Sequence, residues 1–158
     1  MISAHSSNAA GTRAIGEALA ALLQPGDVVL LVGGLGSGKT TFVQGLARGL
    51  GVKGDVTSPT FTLCHAHAGR LDLVHVDLWR LDRQSEILDL GLDEELDDGA
   101  VVVVEWGEAA EPLLGDRALV VQFASGGGEQ ERDIAIEARG RWTERVGDIA
   151  ALLGEVTV

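Results

Sequence analysis

Apolar positions along this chain follow two spacings, and the switches between them mark the elements. From about Asn8 to Gln24 they fall at Ile15, Leu19, Leu22 and Leu23, which predicts an amphipathic helix. Ser7 is placed to cap its start, and Pro25-Gly26 stops it. Asp27 to Val32, apolar throughout after Asp27, reads as a strand buried on both faces. After a glycine-rich turn, Phe42, Val43, Leu46 and Leu50 predict a second helix from about Lys39 to Leu50, stopped at Gly51. Phe61 to Ala68 and Leu71 to Asp77 predict a hairpin turning near Gly69. Residues 84–98 read as a short helix and an acidic loop, and Ala100 to Glu105 as a buried strand ending in a carboxylate. Arg117 to Ala124 and Arg132 to Ala138 predict a second hairpin around Ser125-Gly-Gly-Gly128. Trp142, Val146, Ile149, Leu152 and Leu153 mark a closing amphipathic helix, and residues 1–5 a short first strand. Strands alternating with helices predict an α/β protein. The hairpins make its central sheet mixed and partly antiparallel. The 158 residues fit one domain spanning 1–158.

Charge changes the picture of partners. Twelve basic residues stand against 24 acidic ones, a net charge of −12. Such a surface repels nucleic-acid phosphates, so neither DNA nor free RNA is expected to bind directly. Lys39 and Lys53 are the only lysines. Any bound anion therefore needs a dedicated local site. The single cysteine, Cys64, allows no internal disulfide. No apolar run approaches the roughly 18 residues of a membrane span. The N-terminal residues have neither a basic start nor an apolar signal core, which leads to the expectation of a soluble cytoplasmic protein.

Such an anion site is written into Gly33-Gly-Leu-Gly-Ser-Gly-Lys39-Thr40, two glycines four residues apart followed by Lys and Thr. This is the P-loop pattern, between a buried strand and an amphipathic helix as it should be. Glycines let backbone N–H groups curl around a phosphate, and the helix presents its positive end. Lys39 is expected on the β- and γ-phosphates, and the Thr40 hydroxyl on Mg²⁺.

A P-loop also needs an acid at the end of a neighbouring strand. Glu105, closing the apolar run from Val101, is the preferred Mg²⁺ partner. Asp77, closing Leu73 to Asp77, is the second carboxylate, polarising water or holding the metal's water shell. The catalytic set is then Lys39, Asp77 and Glu105. Asn8, the only asparagine, precedes the loop, so an Asn-Lys-x-Asp guanine reader cannot exist. ATP is the better nucleotide. A small-molecule kinase would add an arginine-rich lid. Arg139, Arg141 and Arg145 begin the closing helix and make a poor one.

Four segments, GGLGSGKTT, Thr57 to Leu63, His75 to Leu81 and Val104 to Glu108, occur in an order that resembles the bacterial TsaE (YjeE) ATPases. The resemblance implies a P-loop NTPase-like three-layer fold. It also implies an ATP hydrolase, slow alone, that supports the TsaD–TsaB complex in forming threonylcarbamoyladenosine in tRNA, with tRNA met only through that complex. It places phosphates on Lys39 and the backbone of Gly36, Ser37, Gly38, Thr40 and Thr41, and Mg²⁺ on Thr40 and Glu105. It makes Ser58-Pro59-Thr60 a switch-like loop near the γ-phosphate and Trp106 a switch beside the metal ligand. It puts the base near Asn8 and Ala9, with Arg132 a further contact. Gly34, Trp79 and Gly107 depart from the family pattern, where an acid and Tyr are usual at the first two and Pro or another residue often stands at the third. A kinase with its own small substrate, and a nucleotide-dependent binding module without turnover, are the alternatives.

Other features read plainly. His65, His67 and His75 lack an acid or cysteine to complete a metal site and are expected to be structural or surface residues. Cys64 faces away from His65 and packs in the core, as does Trp142. Seven acids between Glu86 and Asp98, with no basic residue among them, form a solvated face that could dock a partner.

Overall fold

The computed structural model describes residues 1–59, 63–79 and 84–155. Its strands are β1 (Ile2–Ser6), β2 (Val28–Val32), β3 (Cys64–His67), β4 (Leu73–Asp77), β5 (Val101–Glu105), β6 (Ala118–Ser125) and β7 (Arg132–Ala138). They form one sheet in the order β1-β7-β6-β2-β5-β4-β3. The central strands β6, β2, β5 and β4 are parallel. β3 joins β4, β7 joins β6 and β1 joins β7 antiparallel. The helices are α1 (Ala9–Ala20), α2 (Lys39–Gly49), α3 (Gln84–Leu88), α4 (Leu92–Asp97), α5 (Glu111–Leu114) and α6 (Val146–Glu155).

Side-chain alternation divides the core between the two sheet faces. Val29, Leu31, Val101 and Val103 pack with Leu19, Phe42, Leu46, Trp142 and Ile149, under α1, α2 and α6. Val28, Leu30, Val102 and Val104 pack with Ile87, Leu92, Leu96 and Leu114 on the other face. This is the three-layer α/β arrangement with a mixed, partly antiparallel sheet. Both faces of β2 and β5 are covered, which explains their unbroken apolar runs.

Helices α1 and α2 touch through glycine. A Cβ on Gly45 would lie 2.1 Å from the Arg13 carbonyl oxygen, and one on Gly16 would lie 2.4 Å from that of Phe42. No side chain fits between these backbones.

The structure corrects several boundaries. Asn8, not Ser7, caps α1: its backbone is extended and its side-chain oxygen accepts from the Gly11 N–H at 2.9 Å. The helix ends at Ala20 rather than Gln24, and Leu22 and Leu23 follow in a turn. Residues 84–98 hold two helices because Ile87, Leu92 and Leu96 anchor them. Their acids Asp93, Glu94, Glu95, Asp97 and Asp98 stay exposed. Residues 107–117, which show no clear periodicity, form 3₁₀ turns around α5. Of the strand expected over 61–68, Cys64–His67 is present, and residues 60–62 lie outside the described residues. Among the described residues no helix is long and apolar enough to cross a membrane.

The closing segment is pinned by charge. Asp27, fully buried ahead of β2, takes a two-pronged contact from Arg145 at 2.7 and 2.8 Å and a third from Arg141 at 3.2 Å. Arg145 also lies 3.9 Å from the centre of the buried Trp142 ring. Arg139 pairs with Glu111 and Glu137. These arginines are committed ahead of β2 and around α5, not over the glycine loop. Removing one partner of a buried pair leaves an uncompensated charge. Arg145→Met is therefore expected to cost about 3 kcal/mol of stability, measured as a lowered urea midpoint.

Candidate functional site

The glycine loop starts where β2 ends and closes where α2 begins, so the fold delivers it to the carboxyl edge of the parallel strands. Gly36 and Gly38 hold φ of 72° and 103°, the left-handed region that favours glycine. Gly33 has no room for a Cβ, which would meet Ser37 Oγ at 2.7 Å. Gly34 has open space around it, so its departure from an acid strains nothing. Arg132 grips the loop from β7: Nε donates to the Ser37 carbonyl and Nη2 to that of Gly36, both at 2.9 Å. With these carbonyls engaged and the first-turn N–H groups of α2 lacking intrahelical acceptors, the loop offers donors.

Lys39 leaves the start of α2 and is buried. Nζ donates to the carbonyls of Gly33 at 2.6 Å and Gly34 at 2.8 Å, and sits 3.7 Å from the centre of the Trp106 ring. Burial pushes its ammonium below the usual lysine range, while Glu105, Glu108 and Asp77 partly oppose the shift. Ser37 Oγ is buried without a hydrogen-bond partner. An unpaired hydroxyl, an ammonium and free helix-end N–H groups form a donor set that fits an oxyanion such as a phosphate.

The carboxylates come from adjacent parallel strands, with Asp77 and Glu105 directly paired in register. Both are almost fully buried. The Thr40 hydroxyl reaches both oxygens of Glu105, at 2.8 and 3.0 Å. Asp77 accepts from Ser58 Oγ at 2.6 Å and from the Trp79 N–H at 2.9 Å. Among the described residues no group of three or more His, Cys, Asp or Glu could hold a metal ion. The oxygens of Thr40 and Glu105 suit a hard cation of the Mg²⁺ kind, which takes only one or two protein ligands and completes its shell with water and phosphate.

Two indoles close the site. Trp106 follows Glu105 with φ 58°, an uncommon conformation for a bulky residue. Its ring lies 4.5 Å from that of Trp79, centre to centre. Gly107 behind it is packed on β2, where a Cβ would come within 2.7 Å of Leu30. Glycine is thus the residue this turn needs.

One cavity of about 420 Å³ gathers Ala9, Gly36, Ser37, Gly38, Lys39, Thr40, Thr41, Asp77, Glu105, Trp106 and Arg132, all singled out by sequence. Asn8 does not line it, because its side chain is spent on the helix cap. Thr60 lies outside the described residues. Sequence reasoning missed Thr12, Leu35 and Gln130 as lining residues. Only Thr12 carried a signal, one helical turn beyond Ala9 on the same face. It also missed the place of His75, which is fully buried with Nε2 2.5 Å from Glu105 Oε2. Its position two residues before Asp77, on the same strand face, was the available clue.

Comparison with known proteins gives a consistent result. Residues 6–134 match the family model described as threonylcarbamoyl adenosine biosynthesis protein TsaE. A tRNA threonylcarbamoyladenosine biosynthesis protein TsaE from Streptomyces coelicolor is 45% identical over 150 residues, 90% of this chain and 99% of that one. The protein of the same name from Bacillus subtilis is 43% identical over 130 residues, 82% of this chain and 80% of that one. The crystal structure of Bacillus subtilis YdiB superposes with a TM-score of 0.81 at 34% identity, covering 95% of this chain and 94% of the other.

The grip of Arg132 on the glycine loop is testable alone. Arg132→Ala is expected to speed amide hydrogen exchange across residues 34–39 by about tenfold, the loss of roughly 1.4 kcal/mol of local protection. The urea midpoint should change little. Unchanged exchange in that segment would show that the loop holds its shape without it.

Proposed function

Because this chain belongs to the TsaE family of tRNA threonylcarbamoyladenosine biosynthesis proteins, we propose that its cavity binds ATP with Mg²⁺ and hydrolyses ATP slowly until a partner completes the site. In this reading hydrolysis supports a cytoplasmic TsaD–TsaB complex, and tRNA is met only through that complex. The observation that carries the reading is a single cavity where the Lys39 ammonium, the unpaired Ser37 hydroxyl and the Thr40–Glu105 pair surround a glycine loop.

The roles follow from the donors. Lys39 exchanges two backbone carbonyls for phosphate oxygens, beside the N–H groups of Gly36 to Thr41. Thr40 and Glu105 hold Mg²⁺, which when bound shields phosphate charge and fixes its orientation. Asp77, held by Ser58 and the Trp79 N–H, orients the attacking water and accepts its proton as the bond to the leaving ADP breaks. Ala9 and Thr12 border the base end. Arg132, which lines the cavity while it grips the loop, is a further contact toward the base. Among the described residues it is the only arginine lining the cavity, and its guanidinium is engaged by carbonyls. With no free arginine there to stabilise transferred charge, slow intrinsic turnover is the expected state.

Lys39→Ala is expected to lower phosphate release by about 10²-fold or more, since no second lysine lines the cavity. Asp77→Asn should bind ADP as the unmodified chain does yet hydrolyse ATP at least tenfold more slowly. Normal hydrolysis by a folded Lys39→Ala variant would refute the ATPase reading.

Adding purified TsaD and TsaB is expected to raise ATP turnover, with Trp106→Ala blunting the rise while nucleotide still binds. Phosphate release with and without the complex, and with and without tRNA, measures this. Fast turnover by the lone chain, unchanged on addition, would point to an independent enzyme.

A further inference from the structure

His75 has no part in the roles above, yet it makes the shortest contact to the proposed metal carboxylate. It lies in β4, opposite Val103 of β5 and His65 of β3. Its side chain is completely buried. Nε2 stands 2.5 Å from Glu105 Oε2, while Nδ1 is buried without a hydrogen-bond partner. On this sheet face it sits among Leu73, Val101 and Val103, with His65 and His67 of β3 on the same face. An aliphatic residue would pack there without an orphaned nitrogen. Keeping an imidazole at that cost needs a return, and among the described residues its one hydrogen bond is to Glu105.

We propose that His75 is a positioning residue for Glu105. Glu105 has three side-chain torsions to fix, at the end of a strand where the cavity begins. The Thr40 hydroxyl holds its carboxylate from the α2 side. The Nε2–H of His75 donates to Oε2 from the β4 side and sets the rotation of the carboxylate plane. Both donors are themselves placed by regular structure, one by the first turn of a helix and one by strand register. Partners of this kind orient a metal-binding side chain, and their loss costs metal affinity rather than the fold. The inference rests on the Mg²⁺–nucleotide reading of the cavity.

The test uses the reach of the two amides. The terminal nitrogen of Gln falls near the place of Nε2, and that of Asn near Nδ1. His75→Gln, His75→Asn and His75→Leu are compared with the unmodified chain by titrating Mg²⁺ into a fixed fluorescent ADP analogue, and by binding the same analogue in EDTA. His75→Asn and His75→Leu are expected to need about tenfold more Mg²⁺ for half-maximal binding, with EDTA affinity within about twofold of the original. His75→Gln should restore most of the Mg²⁺ response. If His75→Leu does not fold, the Asn and Gln pair decides the matter. A normal Mg²⁺ requirement in His75→Asn would overturn the proposal. So would equal behaviour of Gln and Asn, or parallel losses with Mg²⁺ and in EDTA, which mark a role in folding alone. An unmodified chain whose nucleotide binding ignores Mg²⁺ would overturn the underlying reading, visibly before any substitution is made.

Discussion

Gly16, Gly45 and Gly49 let α1 and α2 approach until a methyl group on any of the three would stand 2.1 to 2.4 Å from atoms of the facing helix. That contact fixes the distance between two helix starts. The start of α2 carries Lys39 and Thr40, and the start of α1 carries Ala9 and Thr12, and all four line one cavity. Separating the helices by one methyl layer would widen the cavity and draw α2 off the sheet, taking Thr40 away from Glu105. The glycines of this pair hold the site's dimensions as surely as those of the loop hold its shape.

β2 also carries a contrast in how buried acids are satisfied. Ahead of its first residue, Asp27 is neutralised by two arginines in a closed ion pair. Near its other end, Asp77 closing β4 and Glu105 closing β5 receive a hydroxyl, a backbone N–H, a second hydroxyl and an imidazole. The nearest full positive charge, Lys39, is turned to backbone carbonyls instead. The first arrangement holds the closing segment in place. The second leaves carboxylates without an arginine partner next to an anion cradle, an arrangement that suits a cation together with a phosphate.

How much of this could be read in the sequence depended on separation along the chain. The glycine loop, its Lys and Thr, and the acids ending two strands are legible because each depends on neighbours a few residues away. The grip of Arg132 on the loop is not, although the family resemblance singled the residue out: it reaches the Ser37 carbonyl across 95 positions, through a strand order no local pattern records. His75 was dismissed with His65 and His67 because a search for metal ligands weighs residues as a cluster. Its partner sits 30 residues on, in the next parallel strand. Asn8 differs for the opposite reason. It adjoins the cavity-lining Ala9, and helix initiation uses its side chain. The 3₁₀ turns from Gly107 carry too few apolar positions to show a period.

The strained turn at Trp106 has an optical consequence. The chain has three tryptophans, and one, Trp142, is sealed in the core. The other two face each other at 4.5 Å with their planes inclined at 48°. Indoles this close and this tilted share their excited states, and a chiral pair of that kind gives a split circular-dichroism couplet. The chain has no tyrosine and three phenylalanines to add to its near-ultraviolet absorption. Its long-wavelength spectrum is thus a fixed core signal plus a second one born at the lip of the cavity. Any change that parts the rings would erase the couplet and leave the background standing, so the native chain carries its own reporter of the Trp79–Trp106 contact without an attached dye.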